Sequence, residues 1–376
     1  MLKYSTLAIY TVIALFVFSC ASGPSSVQFT SAKTKARSER NLKEAEKYAL
    51  EALVLEAHQQ DAQVPYFLAT EVYKPQKKWG KVVEMFDEAM KRDPEAMLSQ
   101  PYQYEGRIIT KMQEQITIYY ISELWYILYN KAVKDYDENS TDVEIIELLE
   151  LAMHVNPNNI NTYVLLSKIY DSNEQPDLSK GIINQALNIE SITVDEKANL
   201  CAIQAEQFKQ EGNYTEGINN YKTAYDYYKQ ADDEDGRMSC MVSILSLNLL
   251  LENWDESIHW AGKVYDEDYL ISDDTKMDVF FNIALAYNNA ASNYYNIAGS
   301  VFNSDNPSRY ELQEAMNNYN KAFTFFDQAR DFFNELDDMG SDNGARMAEQ
   351  VKNYMEMIED KQVPFVQKQL DSLNSN

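Results

Sequence analysis

Apolar and polar positions between Gln63 and Pro94 fall into two helical stripes separated by a polar turn. With Gln63 as position 1, Tyr66, Ala69, Thr70 and Tyr73 stand at 4, 7, 8 and 11, and Val82, Phe86, Ala89 and Pro94 at 20, 24, 27 and 32. Such spacings put each set on one face of an α-helix. The order of sizes has a packing reason. Two antiparallel helices approach closely when small side chains at 8, 20 and 27 stand opposite aromatic ones at 4, 11 and 24. Pro94 then stops the second helix, because it cannot continue the hydrogen-bond ladder.

The pattern returns along the chain. A degenerate first copy has Phe29, Ala32 and Ala36, then Ala45, Ala49 and Ala52. A third copy has Tyr129, Ala132, Val133 and Tyr136, then Ile145, Leu149, Ala152 and Pro157. The fourth has Tyr163, Leu166, Ser167 and Tyr170, then Ser179, Ile183 and Ala186, and its step from Ala152 to Ala186 is 34 residues. A fifth holds Cys201, Ala205, Phe208, Gly217, Tyr221 and Ala224, a weaker sixth runs through Ser239–Tyr265, and a seventh has Phe280, Ile283, Ala284 and Tyr287 with Ala315, Tyr319 and Ala322. The rhythm breaks once, since the step from Ala89 to Ala152 is 63 residues. No Gly or Pro interrupts Arg107–Tyr136, so Tyr102–Tyr136 is expected to be mostly one extended first helix, with a separate inserted helix as the alternative. A last amphipathic helix, Ala345 to about Leu370, is placed to cover the open apolar face of the array.

These motifs resemble the tetratricopeptide (TPR) repeat over roughly residues 27–335, most strongly at 63–94 and 126–225. The resemblance implies an all-α fold: a TPR superhelical solenoid of about seven antiparallel helix pairs with a C-terminal capping helix. It also implies a concave groove, lined by first helices, that holds a protein or peptide partner. One known use of such grooves is a Lys/Asn clamp on a peptide carboxylate. Asn130 and Lys134 stand at the matching positions 5 and 9, whereas Val164/Lys168 and Ala202/Glu206 depart from it.

Composition narrows the function. With 33 Lys+Arg against 59 Asp+Glu the formal charge is −26, which repels nucleic acid and reads as a solvated face, with attraction to basic partners as the sharper alternative. Among 3 Cys, Cys201 and Cys240 lie in apolar helical surroundings and read as packing thiols. His58, His154 and His259 are scattered, with no ligand-spaced pair, and are expected to be structural. No phosphate loop, dinucleotide fingerprint, nucleophile elbow or HExxH motif is present, and Asp232–Gly236 is only a fragment of a calcium loop. No catalytic residue, metal or cofactor is expected.

The amino terminus points to a compartment. Leu7–Phe18 is an apolar run of signal-peptide length, short of the ~20 residues that span a bilayer. Val17-Phe18-Ser19-Cys20 resembles a bacterial lipoprotein box, which implies cleavage before Cys20, lipid on its sulfur and a membrane anchor. Ala21 after the cysteine fits the outer membrane. The expected organisation is a signal peptide at 1–19, a tether at 20–26, the solenoid at 27–335 with an insertion or helix extension at about 95–125, and the capping helix and tail at 336–376.

One surface stands out. Asn282, Asn289, Asn293 and Asn296 share a helix face opposite the apolar stripe of Phe280, Ala284, Tyr287 and Ala291. Four Asn give a helix no stability advantage. They can bond a peptide backbone or a glycan; equally, they can be drift in an Asn-rich chain. The leading functional reading is a lipid-anchored protein-interaction scaffold of the bacterial cell envelope. Its alternatives are a glycan-binding lipoprotein serving an outer-membrane transporter and an outer-membrane protein assembly lipoprotein.

Overall fold

The structure is a computed structural model that describes residues 24–138, 142–303 and 306–374. The chain divides into two compact units, Met1–Asn173 and Glu174–Asn376. The division falls between the two helices of the fourth repeat, where the sequence keeps strict phase. Apart from one hairpin, the described elements are helices joined by short turns and arranged as antiparallel pairs of the TPR type.

In the first unit α1 (Val27–Arg37) pairs with α2 (Leu42–Leu53), and α3 (residues 63–73) pairs with α4 (Trp79–Arg92). A hairpin of β1 (Met97–Tyr104) and β2 (Arg107–Lys111) follows. Then come α5 (residues 112–137), α6 (Asp142–Val155) and α7 (Ile160–Ser172). Small residues do what their spacing requires: Ala32, Ala45, Ala49, Ala52, Ala69 and Ala89 are fully buried against Phe29, Phe67, Tyr73 and Phe86.

Helix starts follow local chemistry. Side-chain oxygens of Ser26 and Asn41 accept the backbone N–H groups of Phe29 and Glu44, satisfying donors that the helix itself leaves open. Ser26 is further held by His58, whose Nδ1 is 2.7 Å from Asp61 Oδ2 and whose Nε2 is 3.0 Å from Ser26 Oγ.

The hairpin corrects the expected continuous helix from Tyr102. Glu105 and Gly106 both have positive φ (46° and 78°), the requirement of a two-residue turn that matches strand twist. Tyr104 pairs with Arg107 and Tyr102 with Ile109, while the register shifts between Met97 and Tyr102, around Pro101, which has no N–H to give the ladder. The Met112 N–H bonds the Ala96 carbonyl at 2.9 Å and closes the base of the insertion. Helix begins only at Met112.

The second unit contains α8 (Pro176–Leu187), the pair α9 (Val194–Gln210) and α10 (Tyr214–Ala231), and the pair α11 (Glu234–Leu250) and α12 (Trp254–Asp266). The long pair α13 (Asp273–Ser300) and α14 (Arg309–Asp338) follows, then α15 (residues 344–374). Capping boxes of Thr193 with Glu196 and Ser308 with Glu311 start α9 and α14. Phe326, Phe333 and Tyr319 on α14 are enclosed, and Phe326 stacks on Tyr354 of α15 at 5.2 Å. Thus α15 covers the last pair, as a terminal cap must. Its turn widens to a π-helix over Ile358–Gln362, just before Pro364, whose missing N–H breaks the ordinary ladder.

Burial shifts acid groups in this unit. It pushes the phenols of Tyr228 and Tyr319 and the thiol of Cys240 up to about 12 each, from ordinary values of 10.0 and 9.0. Below those ordinary values both folded and unfolded chains hold the protons, and the stabilisation is complete. As pH rises further the unfolded chain ionises first, so stability falls until the folded groups titrate too. Urea midpoints are therefore expected to stay flat from about pH 7 to 9 and to drop between about pH 9.5 and 12. A midpoint that holds through this upper range would contradict the assigned burial.

Candidate functional site

The first helices of the repeats on either side of the hairpin, α3 and α5, both depart from α geometry, and residues of both widened stretches line one cavity. Leu68–Tyr73 and Tyr120–Leu124 are π-helical; Pro75 stands two residues beyond the first, as Pro364 does beyond the widened turn of α15, while no proline lies in or just after the second. Widened turns of this kind recur at functional sites, because they re-aim side chains that a regular helix would bury or turn away. Between them lies a cavity of about 160 Å³. Tyr66, Thr70 and Lys74 form one wall, Gln115, Tyr119 and Glu123 the facing wall, and Phe86 of α4 lies between them. Tyr102 and Tyr104, two residues apart and hence on one face of β1, roof it.

The walls are ordered by ring contacts and hydrogen bonds. Phe86 meets Tyr66 at 5.8 Å and Tyr119 edge-on at 5.7 Å. The Tyr66 hydroxyl donates to Gln115 Oε1, and Thr70 Oγ1 donates to the Tyr66 carbonyl at 2.8 Å. Lys74 places its ammonium 4.0 Å from the Tyr119 ring centroid and 3.5 Å from Glu123, so a cation already uses one π face at the mouth. Burial, with Tyr102 adding to it, pushes the Tyr66 phenol up to about 12. Burial, with Glu123 second, does the same to Tyr119. Both phenols stay neutral near pH 7 and act as hydrogen-bonding groups. The signals for this site in the sequence are the Glu105-Gly106 turn and the β-branched run Ile108-Ile109-Thr110. Of the π turns, the first has Pro75 just beyond it and the second leaves no local mark.

The residues singled out from sequence are distributed as follows. Asn282, Asn289, Asn293 and Asn296 lie on one face of α13; the first three are half-buried and Asn296 is exposed. Asn282 Nδ2 reaches Ser246 Oγ of α11 at 3.5 Å, and Asn289 Oδ1 accepts from Asn288 at 3.3 Å. Asn293 and Asn296 have no hydrogen-bond partner among the described residues. Asn130 and Lys134 are exposed on α5, in the other unit, and Lys134 is drawn to Glu138 at 3.7 Å, which answers part of its charge. Glu206 accepts from the Tyr221 hydroxyl at 2.7 Å and pairs with Lys209, so it serves α9 and α10. Cys20 lies outside the described residues.

Ser26, His58 and Asp61 have the distances of a hydrolase relay, but their surroundings differ. Ser26 Oγ is occupied capping Phe29, and the imidazole is fully enclosed, so no leaving group can reach Nε2 to take a proton. The trio locks the start of α1 to the turn before α3. Among the described residues no group of three or more His, Cys, Asp or Glu is placed to hold a metal ion, and no helix is long and apolar enough to cross a membrane.

No family model and no curated protein matches this chain. Several solved structures are similar to this chain at low identity. A tetratricopeptide repeat protein from Parabacteroides merdae ATCC 43184 is 13% identical, with 80% of this chain and 99% of that one covered and a TM-score of 0.34. PilF of Pseudomonas aeruginosa is 13% identical, with 61% and 97% covered and a TM-score of 0.35. Nearly identical TPR-like repeats from Podosopora anserina are 11% identical, with 55% and 97% covered and a TM-score of 0.38. At such scores the assignment of the fold rests on the helix pairs themselves.

Proposed function

We propose that the chain is a TPR scaffold of the bacterial cell envelope, held to a membrane by lipid on Cys20, that binds a segment of a partner protein. The roofed cavity carries the binding part of this reading. The repeat rhythm has no use for the insertion between α4 and α5, yet the insertion brings two tyrosines over aromatic walls that include residues of two π turns. The anchor part is supported by Leu7–Phe18 and the Val17–Cys20 box, and Ala21 favours the outer membrane. The Asn face of α13 is the second contact surface in this reading, since a row of side-chain amides can both donate to and accept from an extended backbone.

Crosslinked affinity capture with the full-length protein from detergent-solubilised envelopes tests it. One or two stoichiometric protein partners are expected. Asn289→Asp combined with Asn293→Asp is expected to lower their recovery several-fold, with helicity and melting unchanged. Equal recovery by the double variant would remove the Asn face from the site. Absence of any protein partner, with retention on a glycan resin, would sink the scaffold reading.

A further inference from the structure

The chain that follows Cys20 enters the fold through a knot. Ser26 Oγ accepts the Phe29 N–H that starts α1 and lies 3.0 Å from His58 Nε2. Arg92 Nη1 donates to the carbonyls of His58 (2.7 Å) and Leu53 (3.2 Å), so the same knot holds the last turn of α2. Five residues stand between Cys20 and Ser26. At full extension that stretch spans at most about 22 Å. Lipid on Cys20 therefore keeps this end of the first repeat close to the membrane surface.

The outer face of α2 carries a stripe that the repeat does not use. Lys43, Lys47, Leu50 and Val54 are all exposed. Their spacing puts them within about 60° of one another around the helix. Val54 is 75% exposed and Leu50 40%, and Val27, next to the Ser26 cap at the same end, is 80% exposed. Lys43, Lys47 and Arg40, which is exposed in the turn before α2, have no ion-pair partner among the described residues. The nearby carboxylates are taken. Lys35 holds Glu39 and Glu44, both at 2.8 Å, and Lys78 and Lys81 hold Glu46 at 3.6 and 3.3 Å. Glu51 stands about 70° from the centre of the stripe. Between Val27 and Val54 six cations stand against four carboxylates, in a chain whose formal charge is −26.

A solvated face has no need of Leu50 and Val54 beside unpaired lysines. The headgroup layer of an anionic bilayer satisfies both kinds of residue, since lysine stems run along apolar surface to the phosphates and aliphatic side chains enter the acyl boundary. We infer, resting on the anchor part of the proposed function, that α2 lies along the membrane that holds the lipid. Arg40, Lys43 and Lys47 meet the phosphates of anionic phospholipids, and Leu50, Val54 and Val27 meet the acyl boundary. The lipid alone leaves the first repeat free to turn on its tether. This second contact sets its orientation.

The test places a nitroxide on Val54→Cys in the full-length lipidated protein in nanodiscs; Cys201 and Cys240 are buried and escape labelling. Power saturation with oxygen and with a neutral nickel chelate reads the depth of the label. On discs containing phosphatidylglycerol, the ratio of oxygen to nickel accessibility is expected to be several-fold higher than on phosphatidylcholine alone. That difference is expected to vanish when Arg40→Glu, Lys43→Glu and Lys47→Glu are combined, with helicity unchanged, and in 1 M salt, where the screening length falls to about 3 Å. A label in water on both discs, with lipid on Cys20 verified by mass spectrometry, would overturn the inference and leave the anchor standing. Equal shielding on the two lipids would overturn the assignment to anionic headgroups. Dipolar broadening between labels would give the stripe to a second copy of the chain and overturn it as well. A parent without lipid on Cys20 would remove the anchor reading and the inference with it.

Discussion

Replacing Gly344 with alanine is expected to undock the C-terminal helix from the last repeat. Gly344 opens α15 where it crosses the end of α14, and a Cβ there would lie 2.5 Å from the Asp337 nitrogen, 2.7 Å from the Phe333 oxygen and 2.8 Å from the Asp337 Cα. All three are backbone atoms, so no rotamer change relieves the clash. The helix start must move, and the faces that Phe326, Phe333 and Tyr354 share are pulled apart with it. Overpacking of this kind costs about 1–3 kcal/mol, and the rigid contacts here place it at the upper end. Repeat arrays open in parts, so the informative readout is amide hydrogen exchange over residues 344–374, where protection is expected to fall at least tenfold. Gly181→Ala is the control. A Cβ there meets nothing within 4 Å in the middle of α8, and the change is expected to stabilise by about 0.5–1 kcal/mol. Unchanged protection in Gly344→Ala would mean that α15 docks differently from the geometry described.

The second large effect concerns the anchor. Cys20→Ser is expected to move nearly all of the protein from the membrane pellet to the soluble fraction. Two or three acyl chains at about 0.8 kcal/mol per buried CH₂ make an effectively stable attachment, and a serine oxygen does not form the thioether. No other described segment offers a spanning helix to replace it. Mass spectrometry of the parent should find a peptide that begins at Cys20 and carries the added diacylglycerol. A parent peptide without lipid, or a variant that stays with the pellet, would end the lipoprotein reading.

How far the fold could be read from sequence follows from the range of the interactions involved. Alternation of knobs and small residues, as in Tyr73 with Val82, Phe86 and Ala89, is a local cause of helix pairing and is visible at fixed spacing. Terminal capping was legible for the same reason, since α15 carries its own amphipathic stripe. The hairpin was not. Arg107–Lys111 pairs across a turn, and the absence of Gly and Pro from Arg107 onward hid a strand whose mark was β-branching, not a breaker. The division after Asn173 left no trace either, because the repeat keeps its phase from Ala152 to Ala186. At the candidate site, the Asn face of α13 could be found from composition and helical geometry. The cavity could not, since its walls meet through packing between segments about fifty residues apart (Tyr66 to Gln115, for example, are separated by 49).

The closed base of the hairpin has an evolutionary consequence. Because the Met112 N–H meets the Ala96 carbonyl, the excursion leaves and rejoins the array at one point. Within the strands only Ile109 is buried. Such a segment behaves as an exchangeable cassette. Its length and side chains can drift or be replaced without disturbing the register of the repeats on either side. A lineage could thus retarget this protein by rewriting some fifteen residues, while the scaffold that presents them is inherited unchanged.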